Sequence, residues 1–349
     1  MNPAFASVLA APAEDRRGLF ADTGRRLGTS ERNVEKDFWV CWTLDALFND
    51  LPAGHPRLLF KGGTSLSKAY GLISRFSEDI DITVFRDDLG EAASVDVLEA
   101  MSGKARVRQL ESIRESCSTY INDTLARELS DILAGTLAAA KISANARLVS
   151  DPNDPDGQTL LLWYPSVTVE TNDYVLPAVR IESGAKSALD PHAPARIVPY
   201  VAQDMGDESF VIDNITTVAA ARTFWDKIVI LHGMRHWYDR RGVVRQEGQR
   251  ITRHYYDVYR LLGSPVGREA LSDIALGIDC ARHARMFFNR PDFDLNNAIA
   301  GNFSPAPAEG MLHALERDYD SMSGMIFGPV PTFVDVINAA REIEAQLKR

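Results

Sequence analysis

Two aspartates two residues apart, Asp79 and Asp81, sit in the segment DIDITVF, where apolar and polar residues strictly alternate. That alternation predicts a strand with Ile80, Ile82 and Val84 on one face and Asp79, Asp81 and Thr83 on the other. Two carboxylates on one face repel unless water or a cation lies between them. Mg²⁺ suits oxygen ligands that must also hold a phosphate chain. A two-ion site of this kind activates an attacking hydroxyl and stabilises a leaving pyrophosphate. The bland alternative is an exposed edge strand with solvated charges.

The segment upstream favours the chemical reading. RLLFKGG reads as a short buried strand entering a turn at Gly62 and Gly63, and TSLSKAYGL reads as a helix with Thr64 and Ser65 at its cap positions. A glycine turn at a helix start offers backbone N–H groups to a phosphate. Lys61 and Arg75 flank it, either to neutralise phosphate or as ordinary surface cations. The turn is neither a Walker A loop nor a GxGxxG fingerprint.

Other elements must hold this motif. SERNVEKDFWVCWTLDALFND (residues 30–50) predicts a helix capped by Ser30 or Asn33. Helix is also expected over VDVLEAMSGK and from about Arg106 to Lys141. Strands are expected at ANARLVS, TLLLWYPSV, LPAVRIESG and SFVIDNITT, with DPNDPDG as a connecting turn. From about Val218 onward every segment has helical periodicity. The expectation is an α+β sheet domain over 1–215 and an all-helical domain over 216–349 that completes an active-site cleft.

Bulk properties narrow the class. With 349 residues, 45 % hydrophobic and 25 % charged, the chain has ample material for a core. A net charge of −10 counts against a general nucleic-acid coat. Cys41, Cys117 and Cys280 are scattered and odd in number, which suits neither a disulfide framework nor a zinc cluster. The N-terminal MNPAFASVLAAPAEDRR reads as a loose start rather than a signal peptide. No apolar run reaches membrane-spanning length. The expected location is the cytoplasm.

The stretch KGGTSLSKAYGLISRFSEDIDITV resembles the first motif of the AbiEii/AbiGii-type nucleotidyltransferase toxins, a branch of the DNA polymerase β-like nucleotidyltransferase superfamily. Its spacer is longer than in the commonest superfamily members. NVEKDFWVCWTLDALF resembles the family's N-terminal helix and LPAVRIESGAK its second acidic strand. TFWDKIVILH and RHYYDVYRL resemble the third and fourth motifs. The resemblance covers roughly residues 30–265. It implies that Asp79 and Asp81 bind metal and that the Gly62–Ser65 turn binds phosphate. It implies that Glu182 is the third acidic residue, as metal ligand or general base, with Glu170 the competitor if the strand register differs. It implies that Lys227 reaches the nucleotide phosphates and that Asp257 acts in the site, orienting Lys227. A surface pair of Arg180 with Glu182, and an ion pair of Asp257 with Arg253 or Arg260, are the structural alternatives.

The implied function is Mg²⁺-dependent transfer of a nucleoside monophosphate from an NTP to an RNA, with tRNA as the expected acceptor and a separate antitoxin as partner. Two other readings stay open: nucleotidylation of a protein hydroxyl, and an Asp-x-Asp glycosyltransferase. A basic stretch, RHWYDRRGVVRQEGQRITRH, sets Arg235, Arg240, Arg241, Arg245, Arg250 and Arg253 among Trp237 and Tyr238. It fits either an RNA-binding surface or a solvated loop balancing local acid.

Overall fold

The computed structural model describes residues 1–76, 79–143, 145–168, 176–245 and 250–348. The chain divides into two compact units. The first comprises residues 1–69, 76–93 and 104–217; the second comprises 70–75, 94–103 and 218–349.

The first unit is built on a seven-stranded mixed sheet. Its strands are β1 (Leu58–Lys61), β2 (Asp79–Val84), β3 (Arg147–Ser150), β4 (Thr159–Trp163), β5 (Ala178–Glu182), β6 (His192–Ile197) and β7 (Ile212–Val218). They lie in the order β3-β4-β5-β2-β1-β7-β6. β2 is antiparallel to β1 and parallel to β5, so it is a central strand with neighbours on both edges. Its apolar face is fully buried: Ile80, Ile82 and Val84 are inaccessible, as are Val179 and Ile181 on β5 and Leu160 and Leu162 on β4. The helix Glu31–Asp45 packs on β2 and β5. Ser30 caps it by accepting the Asn33 N–H at 3.2 Å. Trp39 on that helix stacks on Tyr164 with ring centroids 5.4 Å apart.

The structure amends the sequence expectations at two places. The N-terminus is not a loose start but two helices, Pro3–Ala10 and Ala13–Leu27. Asn2 caps the first, and Phe5 seats its ring edge-on against Phe38 and Phe210, 5.2 and 4.8 Å away. Full burial of such a ring is worth about 2–3 kcal/mol, and its partners lie far away in sequence, so no local pattern announced it. Second, β6 was not foreseen. It is an edge strand, mostly exposed, and it contains Pro194, which only an edge tolerates. The helix expected from about Arg106 to Lys141 is present, as Gly103–Thr119 and Ala126–Ala139 joined through a wider π turn at Tyr120–Leu125.

In the second unit the residues from Ala220 onward form helices at Ala220–Arg241, Thr252–Leu262, Pro265–Ser272, Ile274–Phe287, Leu312–Ser323 and Phe333–Leu347. The helix Val95–Ala100 packs against Ile274–Phe287. Trp225 is the inner post of this unit. It is fully buried, donates its indole N–H to the Ala270 carbonyl at 2.8 Å, and lies where a Cβ on Gly277 would collide with it. No helix among the described residues is long and apolar enough to cross a membrane.

Candidate active site

The acidic face of β2 lies in the first unit. Asp79 and Asp81 are both half-buried, on the side of the strand opposite the buried isoleucines. The parallel register sets Arg180 opposite Asp79 and Glu182 opposite Asp81. On the other edge of β2, Lys61 is the antiparallel partner of Asp81. Thus Asp79, Asp81, Glu182, Arg180 and Lys61 share one patch of sheet. Glu170, the alternative acidic residue, lies outside the described residues.

Gly62 makes room for Asp81. A Cβ at position 62 would stand 2.1 Å from Asp81 Oδ2, and the residue has φ +78°, a region other residues rarely adopt. Glycine is therefore required on two independent grounds. The following helix starts at Gly62 rather than at Thr64, so Thr64 and Ser65 are not its caps. The Thr64 hydroxyl donates to the Asp79 carbonyl, and the Ser65 hydroxyl donates to the Gly62 carbonyl at 2.9 Å. Thr64 ties the turn to the strand that carries the aspartates, and Ser65 closes the turn on itself. Lys68, at the end of this short helix, is buried in an ion pair with Asp37 at 2.7 Å and lies over the Tyr200 ring.

The donor set on this face is all oxygen, which fits a hard divalent cation. Among the described residues no three His, Cys, Asp or Glu side chains are gathered closely enough to hold an ion alone. Asp81 is 26 % and Glu182 42 % exposed, so the face is open to solvent. An incomplete, open set of carboxylates is what an ion shared with substrate phosphates requires.

A second charged cluster lies in the second unit and is buried. Arg75 grips Asp257 with two hydrogen bonds, Nε to Oδ1 at 2.8 Å and Nη2 to Oδ2 at 2.9 Å. Lys227 Nζ lies 2.7 Å from the same Oδ2. The Asp257 side chain is wholly inaccessible, and Lys227 and Arg75 each expose 7 %. Burial pushes the Asp257 carboxyl upward, but Arg75 and Lys227 outweigh it and hold it well below the usual carboxylate range. Two cations thus share one anion. Burial and the neighbouring Arg75 lower the Lys227 ammonium, only partly offset by Asp257. The same surroundings keep His254 neutral: burial, then Lys227 and Arg253, push it well below its ordinary value.

These positions differ in part from those the sequence suggested. Asp257 pairs with Arg75 and Lys227 rather than with Arg253 or Arg260. Arg75 lies in this buried cluster, in the segment 70–75 that belongs to the second unit. Tyr255 and Tyr256 are fully buried packing residues. The Arg180–Glu182 pair weighed as the structural alternative is present, with Nε 3.3 Å from Oε1, while the sequence reading missed Asp151 beneath Arg180. The alternation in VRIE carried the first signal; nothing local carried the second.

The basic stretch is largely paired with acid. Arg235 binds Asp239 at 2.9 Å, Arg240 binds Asp294 at 3.3 Å and Arg241 binds Asp292 at 2.6 Å. Arg245 lies over the Trp237 and Phe293 rings at 5.6 and 5.1 Å. Residues 246–249 of this stretch lie outside the described residues.

A mixed sheet with paired aspartates on a central strand, beside a glycine turn, defines the nucleotidyltransferase class. The family of nucleotidyl transferase AbiEii toxins, type IV toxin–antitoxin system, matches residues 45–347, and the chain belongs to it. The match reaches well beyond residue 265, into the C-terminal helices. Among solved structures the chain is similar to MenT4, a nucleotidyltransferase toxin from Mycobacterium tuberculosis. The two are 17 % identical, with a TM-score of 0.51 over 95 % of this chain and 89 % of that one. That likeness speaks for the fold. No curated protein matches the chain. The protein is a nucleotidyltransferase toxin of a type IV toxin–antitoxin system, and that family implies an NTP substrate and an antitoxin partner. A glycosyltransferase reading has no place in this family.

Proposed function

We infer that the protein transfers a nucleoside monophosphate from an NTP to an RNA, with tRNA as the acceptor class and Mg²⁺ as the ion. The observation that carries this reading is the register of the acidic face, Asp79 and Asp81 on β2 with Glu182 opposite Asp81. Asp79, Asp81 and Glu182 would hold the ion, which supplies charge neutralisation at the phosphates when bound. The Gly62–Ser65 turn and Lys61 serve the phosphate chain, and Gly63 completes the turn. The resemblance of the Lys227 and Asp257 segments to the family's third and fourth motifs supports a role for Lys227 toward the nucleotide, with Asp257, 2.7 Å away, orienting it. The acceptor hydroxyl forms a new O–P bond at the α-phosphorus as the bond to pyrophosphate breaks. Its proton passes to a carboxylate, for which Glu182 is the candidate. NTP and RNA place the reaction in the cytoplasm.

The RNA acceptor follows from the resemblance to AbiEii-type toxins. One observation favours a protein hydroxyl instead: Arg235, Arg240 and Arg241 are already paired with acidic neighbours, so the basic stretch is not an open cationic surface. Incubation of the enzyme with each of the four labelled NTPs and either total RNA or cell protein separates the two acceptors. Label in RNA that disappears with Asp79→Ala supports the first. Label confined to protein overturns it.

A further inference from the structure

The acidic face carries its own cations. Arg180 Nη2 is 3.2 Å from Asp151 Oδ2, and its Nε is 3.3 Å from Glu182 Oε1. Asp151 is only 5 % exposed and accepts the Asn153 N–H at 2.9 Å, so one end of the guanidinium is anchored. The Nε that faces Glu182 is covered, but the Arg180 side chain as a whole is 40 % exposed, so the remainder of the guanidinium is open. Across β2, Lys61 Nζ stands 3.9 Å from Asp81 Oδ1. Each cation is therefore set against a carboxylate that the metal reading needs. Glu182 lies against Arg180, and no closed three-carboxylate group forms among the described residues.

We propose that Arg180, together with Lys61, is a resident counter-ion of the acidic face, so that a divalent cation is bound weakly by the chain alone and is taken up with the triphosphate. This rests on the reading of Asp79, Asp81 and Glu182 as the metal face. The physical argument has two parts. A cation entering beside Asp81 and Glu182 must displace or tolerate two positive charges, which repel it. A triphosphate changes the balance, because its oxygens give a guanidinium and an ammonium new partners of higher charge than one carboxylate. Arg180 suits the exchange: one end stays on buried Asp151 while the open end changes partner.

The test is direct titration of the full-length chain with Mn²⁺ by calorimetry, without nucleotide and with each of four NTP analogues that resist cleavage at the α-phosphorus. Arg180→Gln removes a charge next to the ion and is expected to bind Mn²⁺ about tenfold more tightly without nucleotide at low ionic strength, less so in salt. Its gain in Mn²⁺ affinity on adding the analogue is expected to be smaller than in the wild type. Arg180→Lys keeps the charge and is expected to bind Mn²⁺ like the wild type. Thermal melts check that all variants are folded. Folded Arg180→Gln with unchanged or weaker Mn²⁺ affinity, while Asp81→Asn loses binding, overturns the counter-ion exchange and leaves the metal face standing. Asp81→Asn binding Mn²⁺ like the wild type overturns both.

Discussion

The two charged clusters of this protein solve opposite problems. On β2 of the first unit, the carboxylates outnumber the cations and stand half in water, with partners at 3.3 and 3.9 Å. In the second unit, two cations outnumber one carboxylate and all three are buried, with contacts of 2.7–2.9 Å. Loose pairing at an exposed place contributes little to stability, about 0–1 kcal/mol per pair. Tight pairing in the interior is different, because losing one partner strands a charge that cannot reach water. The first cluster can therefore be altered with consequences for chemistry alone. The second couples chemistry to the fold.

That contrast is open to direct attack. The largest effect is expected from Asp81→Ala: nucleotidyl transfer in a labelling assay falls by about 10³-fold or more, while the urea unfolding free energy moves by less than about 1 kcal/mol. A loss of stability comparable to the loss of activity would erase the distinction. Asp257→Asn comes next. It removes the carboxylate that buried Arg75 and Lys227 share, and denaturant unfolding is expected to show a loss of about 3–5 kcal/mol near neutral pH.

The pH dependence of that loss sharpens the point. The folded-state pKa of Asp257 lies below its ordinary 3.8, so its stabilisation is fully present above that value and fades as pH falls toward the folded pKa. The advantage of wild type over Asp257→Asn should therefore shrink below pH 3.8 and be flat above about pH 5. An advantage that grows on acidification would contradict the assignment of charge. The smallest effect on the fold is expected from Lys227→Met. It removes the surplus charge and leaves the two-bond grip of Arg75 on Asp257, so stability stays within about 1 kcal/mol or rises. Transfer should still drop by about 10²-fold, an electrostatic contribution read in single-turnover assays.

Much of the first unit was legible because the information is local. DIDITV and VRIE write their two faces in a two-residue repeat, and RLLFKGG writes a strand ending in a turn. What the repeat cannot give is register. Asp81 meets Glu182 across a hundred residues of chain, and only the pairing of β2 with β5 brings them level. The buried cluster was harder for the same reason. Asp257 and Lys227 were legible only through the family motifs, and their shared partner, Arg75, is 182 residues from Asp257 and sits in a segment without regular pattern. The N-terminal helices and β6 were missed on different grounds. The helices depend on distant aromatic partners, and β6 is an edge strand exposed along most of its length, buried only at Ile197, that shows no alternation.

Gly62 has a consequence for the genetics of a toxic gene. Every glycine codon becomes alanine or valine by a single base change, and each adds the Cβ that would collide with Asp81 at 2.1 Å. A population under selection to survive the toxin thus has a short mutational route to silence it at this codon. The substitution touches the face of β2 and leaves the second unit's buried cluster unaltered. Survivors at Gly62 would then carry a full-length, inactive protein rather than a truncated one. They would be a natural source of chain with which to isolate the cognate antitoxin without killing the host.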